Sequence, residues 1–327
     1  MKVVNRKAWA VGAVMMLMLL LPAVLGILLG GQAGEVADKG IEIPERVGLY
    51  MTDVGEIKQV SLEEYVVMAM LAEVPADFDS EALKAMAVAV RSYTARRLLS
   101  EEKQVCHYSA DLCDDPSHCL GAVGWEESAL RWGEERADVF YKLISEAVWE
   151  TKGQVLLYGD MIADTVFHTS SYGCTESAEN VWGFEIPYLV SVKSGEDTGE
   201  AVYKFSPEEL SDILKKSVAV GKLPNDPSEW LGRVQKNENG RISVVELGGR
   251  SVTGRRVREI FGLPSACFDV DYDGEYFVFR VRGEGHGVGM SQYGCQALAE
   301  KGMAYTDVLA HYYPSTSPGR LSYRESK

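Results

Sequence analysis

A turn that carries a carboxylate, followed by a helix of small side chains, constrains the fold of this chain most strongly. Glu73-Val74-Pro75 ends one apolar stretch, and four of the twelve residues in the following run Ala82–Tyr93 are alanine. Side chains this small let a helix pack closely against its neighbours, so we expect a buried helix there. A carboxylate fixed on the preceding turn can carry out acid/base chemistry.

Local signals place the helices. Ser61-Leu62-Glu63-Glu64 has the form of a capping box, which predicts a helix of about twelve residues that Pro75 ends. Periodicity predicts another helix over 137–150, with its apolar side chains buried and Gly153 as its cap. Those apolar side chains are Leu143, Ile144, Ala147 and Val148. Further helix starts are predicted at Asp79 or Ser80, at Ser206, and after Ser291.

Three turn signals predict hairpins between strand-like runs. They are Gly159-Asp160, Asn239-Gly240 and Asp273-Gly274. Helices mixed with antiparallel hairpins indicate an α+β fold, and the chain is long enough for a single large domain of one or two lobes.

The N-terminal segment has the properties of a membrane anchor. Residues 8–34 contain no charged side chain, and residues 8–30 would span ~35 Å as a helix, enough for a hydrocarbon core of ~30 Å. Lys2, Arg6 and Lys7 precede it, which favours a cytosolic tail and an extracytoplasmic remainder. A cleaved signal peptide is the alternative, although its apolar core is usually shorter. The predicted order is a tail (1–7), an anchor (8–30), a linker (31–46), a large domain (47–318) and a C-terminal tail (319–327).

Charge excludes one class of partner. The formal net charge of −15 repels polyanions, so we expect no nucleic-acid binding.

The cysteines have two interpretations. Six cysteines outside the cytosol would ordinarily indicate disulfides. The spacing of His107, Cys113, His118 and Cys119 instead supplies four ligands that Zn²⁺ takes tetrahedrally, with Cys106 able to replace His107. Four ligands close the coordination shell, so the predicted zinc is structural. A catalytic zinc of a hydrolase would need an open position.

Two further loops carry polar side chains suited to a ligand. Gly283–Gly294 is rich in glycine and runs into a helix, which lets the backbone approach a ligand closely. His168–Gly173 is a second such loop, and its serine and histidine side chains raise a nucleophilic alternative. Neither loop has the Gly-x-Ser-x-Gly arrangement of a nucleophile elbow, so we favour binding. For Glu73 itself, the alternative is an ordinary solvated helix-end glutamate.

Five separated motifs, taken in order, resemble the stage II sporulation protein D family. They are LEEYV, AEVP, EALKAMAVAVRSYT, HTSSYGCTESAENVWG and GHGVGMSQYGCQALAEKG, and the resemblance covers residues from roughly 45 to 318. It implies a mixed α and β fold and lytic transglycosylation of peptidoglycan between N-acetylmuramic acid and N-acetylglucosamine, with a 1,6-anhydro product, during engulfment. The cysteine and histidine cluster is similar to a zinc site of clostridial members.

The resemblance also implies roles for particular residues. Glu73 matches the family's catalytic acid and Arg91 its motif arginine, whereas Glu284, Tyr172 and Cys174 depart from the usual residues. Arg91 could equally be a buried salt-bridge partner. The candidates for orienting the sugars or the acid are Arg91, His168, Ser170, Asn180, His286, Ser291 and Gln292.

The resemblance further implies partners and a location. The partners are peptidoglycan glycan strands, the amidase stage II sporulation protein P, which strips stem peptides, and the membrane scaffold stage II sporulation protein M. The location is the mother-cell membrane, with the catalytic domain facing the intermembrane space. A non-catalytic wall-binding activator of an amidase is the alternative function.

Overall fold

Two hydrophobic cores of unequal size organise the part of the chain that the structure describes. The structure is a computed structural model, and it describes residues 37–100, 110–196 and 198–324. The larger core joins side chains from 43–189 and 288–321, which we call the large lobe. The smaller core joins side chains from 210–281, and the segment 200–282 is called the small lobe.

The strands are short. In chain order they are β1 (Ala37–Pro44), β2 (Arg46–Met51), β3 (Glu56–Ser61), β4 (Leu112–Cys113), β5 (Gln154–Tyr158), β6 (Met161–Ile162), β7 (Phe167–His168), β8 (Glu200–Phe205), β9 (Leu231–Lys236), β10 (Ile242–Leu247), β11 (Arg250–Thr253), β12 (Phe268–Tyr272), β13 (Phe277–Arg282), β14 (Met290–Ser291) and β15 (Ser317–Arg324).

The helices lie between these strands along the chain, some of them in consecutive pairs. In chain order they are α1 (Leu62–Glu73), α2 (Ser80–Leu99), α3 (Trp125–Trp132), α4 (Glu134–Glu150), α5 (Ala178–Trp182), α6 (Pro207–Ser217), α7 (Gly254–Phe261), α8 (Gln292–Ala299) and α9 (Tyr305–Tyr312), with a 3₁₀ turn at Pro227–Trp230. The mixture of helices and antiparallel hairpins confirms the predicted α+β class.

Helices α1 and α2 form the centre of the large lobe. The capping box is present, because Ser61 Oγ accepts from the Glu64 N–H and Glu64 accepts from the Ser61 N–H. Asp79 caps α2 by accepting from the Glu81 N–H at 2.8 Å. The alanines of α2 at 82, 85, 87 and 89 are all fully buried, as the small-residue pattern predicts.

Helix α4 differs from its prediction in two details. Ile144, Ala147 and Val148 are buried, but Leu143 is 38% exposed because it lies on the neighbouring, solvent-facing side of the helix. The helix is capped by Thr151, whose N–H donates to Ala147 O. Gly153 instead follows in a left-handed turn that leads into β5.

A four-stranded sheet extends past both predicted ends of the large domain. Its order is β1-β15-β5-β6, and β5 pairs antiparallel with both β15 and β6. Residues 37–44 of the predicted linker therefore form a strand, and residues 319–324 of the predicted tail belong to the sheet. The two neighbours β1 and β15 come from opposite ends of the chain, which local sequence patterns cannot pair.

The small lobe consists of two antiparallel sheets and two helices. The orders are β11-β10-β9 and β12-β13-β8. The turns at Asn239-Gly240 and Asp273-Gly274 join β9 to β10 and β12 to β13, and Gly159-Asp160 joins β5 to β6 in the large lobe, which confirms the three hairpins. The phenylalanines at 261, 268, 277 and 279 fill the space between the elements.

None of the helices in the described ranges is both long enough and apolar enough to cross a bilayer. The anchor predicted over 8–30 lies outside the described residues.

Candidate functional site

Glu73 is the last residue of α1, and it is half-buried. Helix α1 ends there because Val74 takes an extended conformation before Pro75, which disfavours helical geometry in the residue that precedes it. Glu73 Oε1 accepts a hydrogen bond from the Gly121 N–H at 2.8 Å. Within the described residues Oε2 makes no hydrogen bond, so one oxygen is anchored and the other is available to a ligand.

Gly121 makes this anchoring possible. A Cβ atom at this position would lie 3.1 Å from Glu73 Oε1 and 3.3 Å from the Ala72 side chain. Both separations are tighter than normal packing, so any larger side chain would displace the carboxylate from the Gly121 N–H.

The turn after Glu73 is held by α8, which lies far along the chain. Gln292 Nε2 donates to the Glu73 carbonyl at 3.0 Å, and Gln296 Oε1 accepts from the Asp79 N–H at 2.7 Å. Phe78 and Tyr293 pack edge to face with their ring centroids 5.4 Å apart. The glycine-rich segment therefore fixes the acidic turn, and Gln292, with only 4% of its surface exposed, acts through the backbone of Glu73.

Ser291 joins α8 to a carboxylate that sequence reasoning missed. Its Oγ caps α8 by accepting from the Gly294 N–H and donates to Glu196 Oε1. The same Glu196 oxygen accepts from the Ser171 N–H at 2.6 Å, while Glu196 Oε2 is buried and has no hydrogen-bond partner in the described part of the chain. Nothing in the local sequence around Glu196 signals this role, because both partners are distant in the chain.

His168 is a buried, neutral histidine. Its Nδ1 lies 3.2 Å from Val288 O and its Nε2 lies 2.6 Å from Ser171 Oγ. A carbonyl only accepts, so Nδ1 carries the hydrogen and Ser171 donates to Nε2. Burial holds the pKa of His168 well below its usual range, and the neighbouring His286 and Arg241 lower it further. Ser171 is fully buried, so this pair is not placed to attack a substrate, which disfavours the nucleophilic alternative.

The backbone of Ser170 joins its loop to the glycine-rich segment. It exchanges both backbone hydrogen bonds with Glu284, at 2.9 and 3.0 Å. The strands β7 and β14 pair in parallel beside it, with Ser291 opposite His168. The two predicted ligand loops are therefore joined to each other.

His286 and Trp182 line a pocket of about 460 Å³ next to these loops. Their ring centroids are 5.7 Å apart, and the exposed Phe184 stacks on Trp182. His286 Nδ1 accepts from the Val288 N–H at 3.1 Å, and burial together with the Arg258 charge lowers the pKa of His286 to about 4. Asn180 lies exposed at the pocket and donates to Glu176 at 3.0 Å.

Arg91 lies apart from these groups, inside the large lobe. It is fully buried, and its Nη2 lies 2.7 Å from Glu63 Oε2. Nη2 also donates to Val148 O at 2.9 Å, and Nη1 donates to Gln154 O at 3.2 Å. Arg91 thus joins α1, α4 and β5, which matches the buried salt-bridge alternative and not contact with a substrate.

The predicted zinc ligands are described only in part. Cys113 and Cys119 are buried next to each other, with the Cys113 N–H 3.3 Å from Cys119 Sγ. His107 and Cys106 lie outside the described residues, and the described ranges contain no group of three metal-ligating side chains. His118 is exposed, and it does not form such a group with the two cysteines. Cys113 and Cys119 alone could supply two of the four ligands of a tetrahedral zinc.

Comparison with known proteins decides the family. A family model described as "Stage II sporulation protein" matches residues 50–158. Stage II sporulation protein D of Bacillus subtilis (strain 168) is 34% identical over 285 residues, which cover 86% of this chain and 82% of that protein. The chain belongs to the stage II sporulation protein D family.

Other relatives agree with this assignment. Stage II sporulation protein D of Bacillus amyloliquefaciens is 33% identical over 277 residues, 83% of this chain and 78% of that protein. An amidase enhancer of Bacillus subtilis (strain 168) is more distant, at 24% identity over 299 residues, 75% of this chain but 39% of that protein. Membership of the stage II sporulation protein D family links this chain to sporulation. The segment that the family model matches contains both Glu73 and Arg91.

Proposed function

We propose that this protein is a lytic transglycosylase that cleaves peptidoglycan between N-acetylmuramic acid and N-acetylglucosamine during engulfment. The observation that carries the proposal is the placement of Glu73. Its carboxylate is half-buried on a turn fixed by α8, with Oε1 held by the Gly121 N–H and Oε2 available. A positioned carboxyl group of this kind can transfer a proton to or from a bound ligand.

The proposed reaction needs one carboxyl group. Protonated Glu73 donates its proton to the glycosidic oxygen as the bond to the muramic C1 breaks and an oxocarbenium-like state develops. The resulting carboxylate then takes the proton from the muramic C6 hydroxyl while O6 bonds to C1. The product is a 1,6-anhydro sugar, no water is consumed, and Glu73 returns to its protonated state.

The use of a single carboxyl group distinguishes the proposed reaction from ordinary glycoside hydrolysis. Hydrolases generally use two carboxyl groups, the second serving as nucleophile or as the base for water. Here the substrate's own hydroxyl replaces water and is already held close to C1. Glu196, the other half-buried carboxylate near α8, is engaged by Ser171 and Ser291 and supports the loops.

The pocket lined by His286 and Trp182 suits a polysaccharide. The rings of Trp182, Phe184 and His286 offer flat apolar faces for pyranose rings, and Asn180 offers an amide for hydroxyl groups. The hydrogen bonds of His168, Ser170 and Ser291 stabilise these loops, so we assign the three residues a positioning role. Gln292 supports the acidic turn.

We extend the proposal to location, partners and a metal on the basis of the family resemblance. We place the protein in the mother-cell membrane through residues 8–30, with its catalytic domain in the intermembrane space. Its partners would be stage II sporulation proteins P and M. A structural zinc would take Cys113 and Cys119 as two of its ligands and would tie the segment 107–119 to the large lobe. Because the described ranges hold no group of three metal-ligating side chains, zinc binding would have to bring His118 and His107 to these two thiols.

A second candidate function is non-catalytic activation of a wall amidase. The distant relative named as an amidase enhancer favours it. It requires binding of the wall and stimulation of an amidase, without release of any anhydro sugar.

Replacing Glu73 by Gln separates the two functions. The amide keeps the shape of the side chain but cannot cycle a proton, so anhydro products should disappear while glycan binding persists. Asp77→Asn is the matched control, since Asp77 is an exposed acid on the same turn and the change is the same. Purified glycan strands would be digested and the products analysed by mass spectrometry. Unchanged anhydro yield from Glu73→Gln would refute the assignment, and a wild-type protein that releases none but stimulates an amidase would support the second function.

A further inference from the structure

A single carboxylate joins a loop to a helix start that lies more than a hundred residues further along the chain. Glu196 Oε1 accepts from the Ser171 N–H at 2.6 Å and from the Ser291 hydroxyl at 2.5 Å. Ser171 and Ser291 are both fully buried, so both donors depend on an acceptor within the protein. The Glu196 carboxylate therefore fixes the start of α8 against the loop 168–173.

The first turn of α8 packs directly against this carboxylate. A Cβ atom at Gly294 would lie 2.8 Å from Glu196 Oε2 and would overlap the hydroxyls of Tyr312 and Ser194. Burial and the nearby charge of Glu196 both raise the pKa of Tyr312. Only glycine lets α8 begin this close to Glu196, so the position of the helix start depends on this contact.

Helix α8 transmits its position to the turn that bears Glu73. Gln292, the first residue of the helix, donates to the Glu73 carbonyl at 3.0 Å. Gln296, one turn further along, accepts from the Asp79 N–H at 2.7 Å. A shift of the α8 start would therefore move both ends of the acidic turn.

We propose that Glu196 is a positioning residue for Glu73 and acts through Ser291 and Gln292. The inference rests on the proposed function, which makes Glu73 the proton donor. Glu196 transfers no proton in the reaction, because its Oε1 is engaged by two donors and its Oε2 is buried. Its contribution is a fixed acceptor, and a displacement of a catalytic group by about 1 Å can cost about a hundredfold in rate.

Removal of this acceptor tests the proposal. Glu196→Met keeps the length of the side chain but leaves the Ser171 N–H and the Ser291 hydroxyl without it. In the full chain acting on purified glycan strands, kcat for anhydro-sugar release should fall at least about tenfold. KM should change less than about threefold, because Glu196 acts on Glu73 and not on the glycan. An unchanged kcat would overturn the inference.

Glu196→Gln separates positioning from proton transfer. The amide carbonyl can accept from the same two donors, and the amide nitrogen would replace Oε2 near the hydroxyls of Tyr312 and Ser194, which can accept from it. The kcat of this variant should therefore stay within about threefold of the wild-type value. A Gln variant as inactive as Glu196→Met would show that the carboxylate takes part in the chemistry, which would overturn the positioning role.

Glu209→Met is the matched control. Glu209 accepts from the Ser206 N–H at 2.8 Å and from its hydroxyl at 2.9 Å, so the change removes the same kinds of hydrogen bond from the start of another helix. That helix, α6, contributes to the core of the small lobe, and kcat should be unchanged. An equal loss of kcat in Glu209→Met would show that any loosened helix start lowers the rate, and the specific role of Glu196 would fall.

Two more variants test the route from Glu196 to Glu73. Ser291→Ala removes the same hydrogen bond from the helix side, and it replaces Glu196→Met if that variant does not fold. It should lower kcat at least about tenfold as well, and full activity would overturn the inference. Combining Glu196→Met with Gln292→Ala should lower kcat no further than the stronger single change, because both interrupt one route. Multiplied losses would contradict that route.

Hydrogen exchange separates this outcome from that of the proposed function. In the full chain, amide exchange over 74–79 should be at least about fivefold faster in Glu196→Met than in the wild type, as measured by mass spectrometry. The reason is that the Asp79 N–H is held by Gln296 of α8. This measurement needs no catalysis, so it stands even if the wild-type protein releases no anhydro product. Unchanged exchange over 74–79 would overturn the inference and leave the proposed function intact.

Discussion

Removal of the Arg91 guanidinium should destabilise the large lobe more than any surface change. Arg91→Met leaves Glu63 buried with its charge uncompensated, although the Gly153 N–H and the Tyr323 hydroxyl still donate to it. The change also removes the donors to Val148 O and Gln154 O. Breaking a buried pair from one side typically costs about 3–5 kcal/mol.

Urea unfolding followed by far-UV circular dichroism measures this cost. With an m-value of about 3 kcal/mol/M, the midpoint should fall by about 1–2 M. Arg255→Met is the control, because its exposed pair with Glu259 should change stability by less than about 1 kcal/mol. Replacing both partners, Glu63→Leu with Arg91→Met, should cost less than Arg91→Met alone, since no buried charge is left behind.

Two results would contradict the expected cost of removing the Arg91 guanidinium. A midpoint within about 0.3 M of the wild type for Arg91→Met would refute the reasoning, since that is roughly 1 kcal/mol at this m-value. The double change costing the sum of the two single changes would do the same.

Three other outcomes are expected. Gly121→Ala should lower anhydro-sugar release about tenfold or more, because the added Cβ displaces the Glu73 carboxylate, with little loss of stability. Product yield and urea unfolding measure the two effects, and full activity would show that the Gly121 contact to Glu73 is dispensable. Gln292→Ala should also lower release, because Glu73 loses the donor on its carbonyl, and unchanged kcat would contradict this. The pKa of His286 is lower in the folded protein than in the unfolded chain, where it is about 6.5. The unfolded state therefore binds the proton first, and stability should fall as pH drops from about 6.5 to about 4, by up to about 1.4 kcal/mol per pH unit. His286→Asn should flatten that part of the stability curve, and an identical slope in the variant would contradict the expectation.

Sequence patterns predicted the features that depend on residues close to one another in the chain. The caps at Ser61, Asp79, Ser206 and Ser291 are each set by side chains within three residues, and all four helix starts are confirmed. The hairpins are confirmed for the same reason, since short loops join their strands: two residues between β5 and β6, five between β9 and β10, and four between β12 and β13.

Long-range pairing explains what the sequence did not reveal. The sequence predicts a linker where β1 lies. The strand that β1 pairs with, β15, comes from the other end of the chain, so no local pattern reveals the pairing. Glu196 has no local signal, since its partners Ser171 and Ser291 come from two separate loops. The sequence left the role of Arg91 open, and only the positions of α1, α4 and β5 show that its guanidinium faces Glu63.

Some predictions stay predictions. The anchor over 8–30 and the ligands Cys106 and His107 lie outside the described residues. The placement of Glu73, in contrast, connects the predicted acidic turn to the glycine-rich segment through Gln292 and Gln296.

The source of the oxygen in the product tests the central claim most directly. Glycan strands would be digested by the wild-type protein in water enriched in ¹⁸O, and the released muramic ends would be weighed by mass spectrometry. Transfer of the C6 hydroxyl to C1 under the control of Glu73 should give anhydro ends that contain no ¹⁸O. Reducing ends that carry one ¹⁸O atom would show that water attacked C1, and would contradict the proposed mechanism.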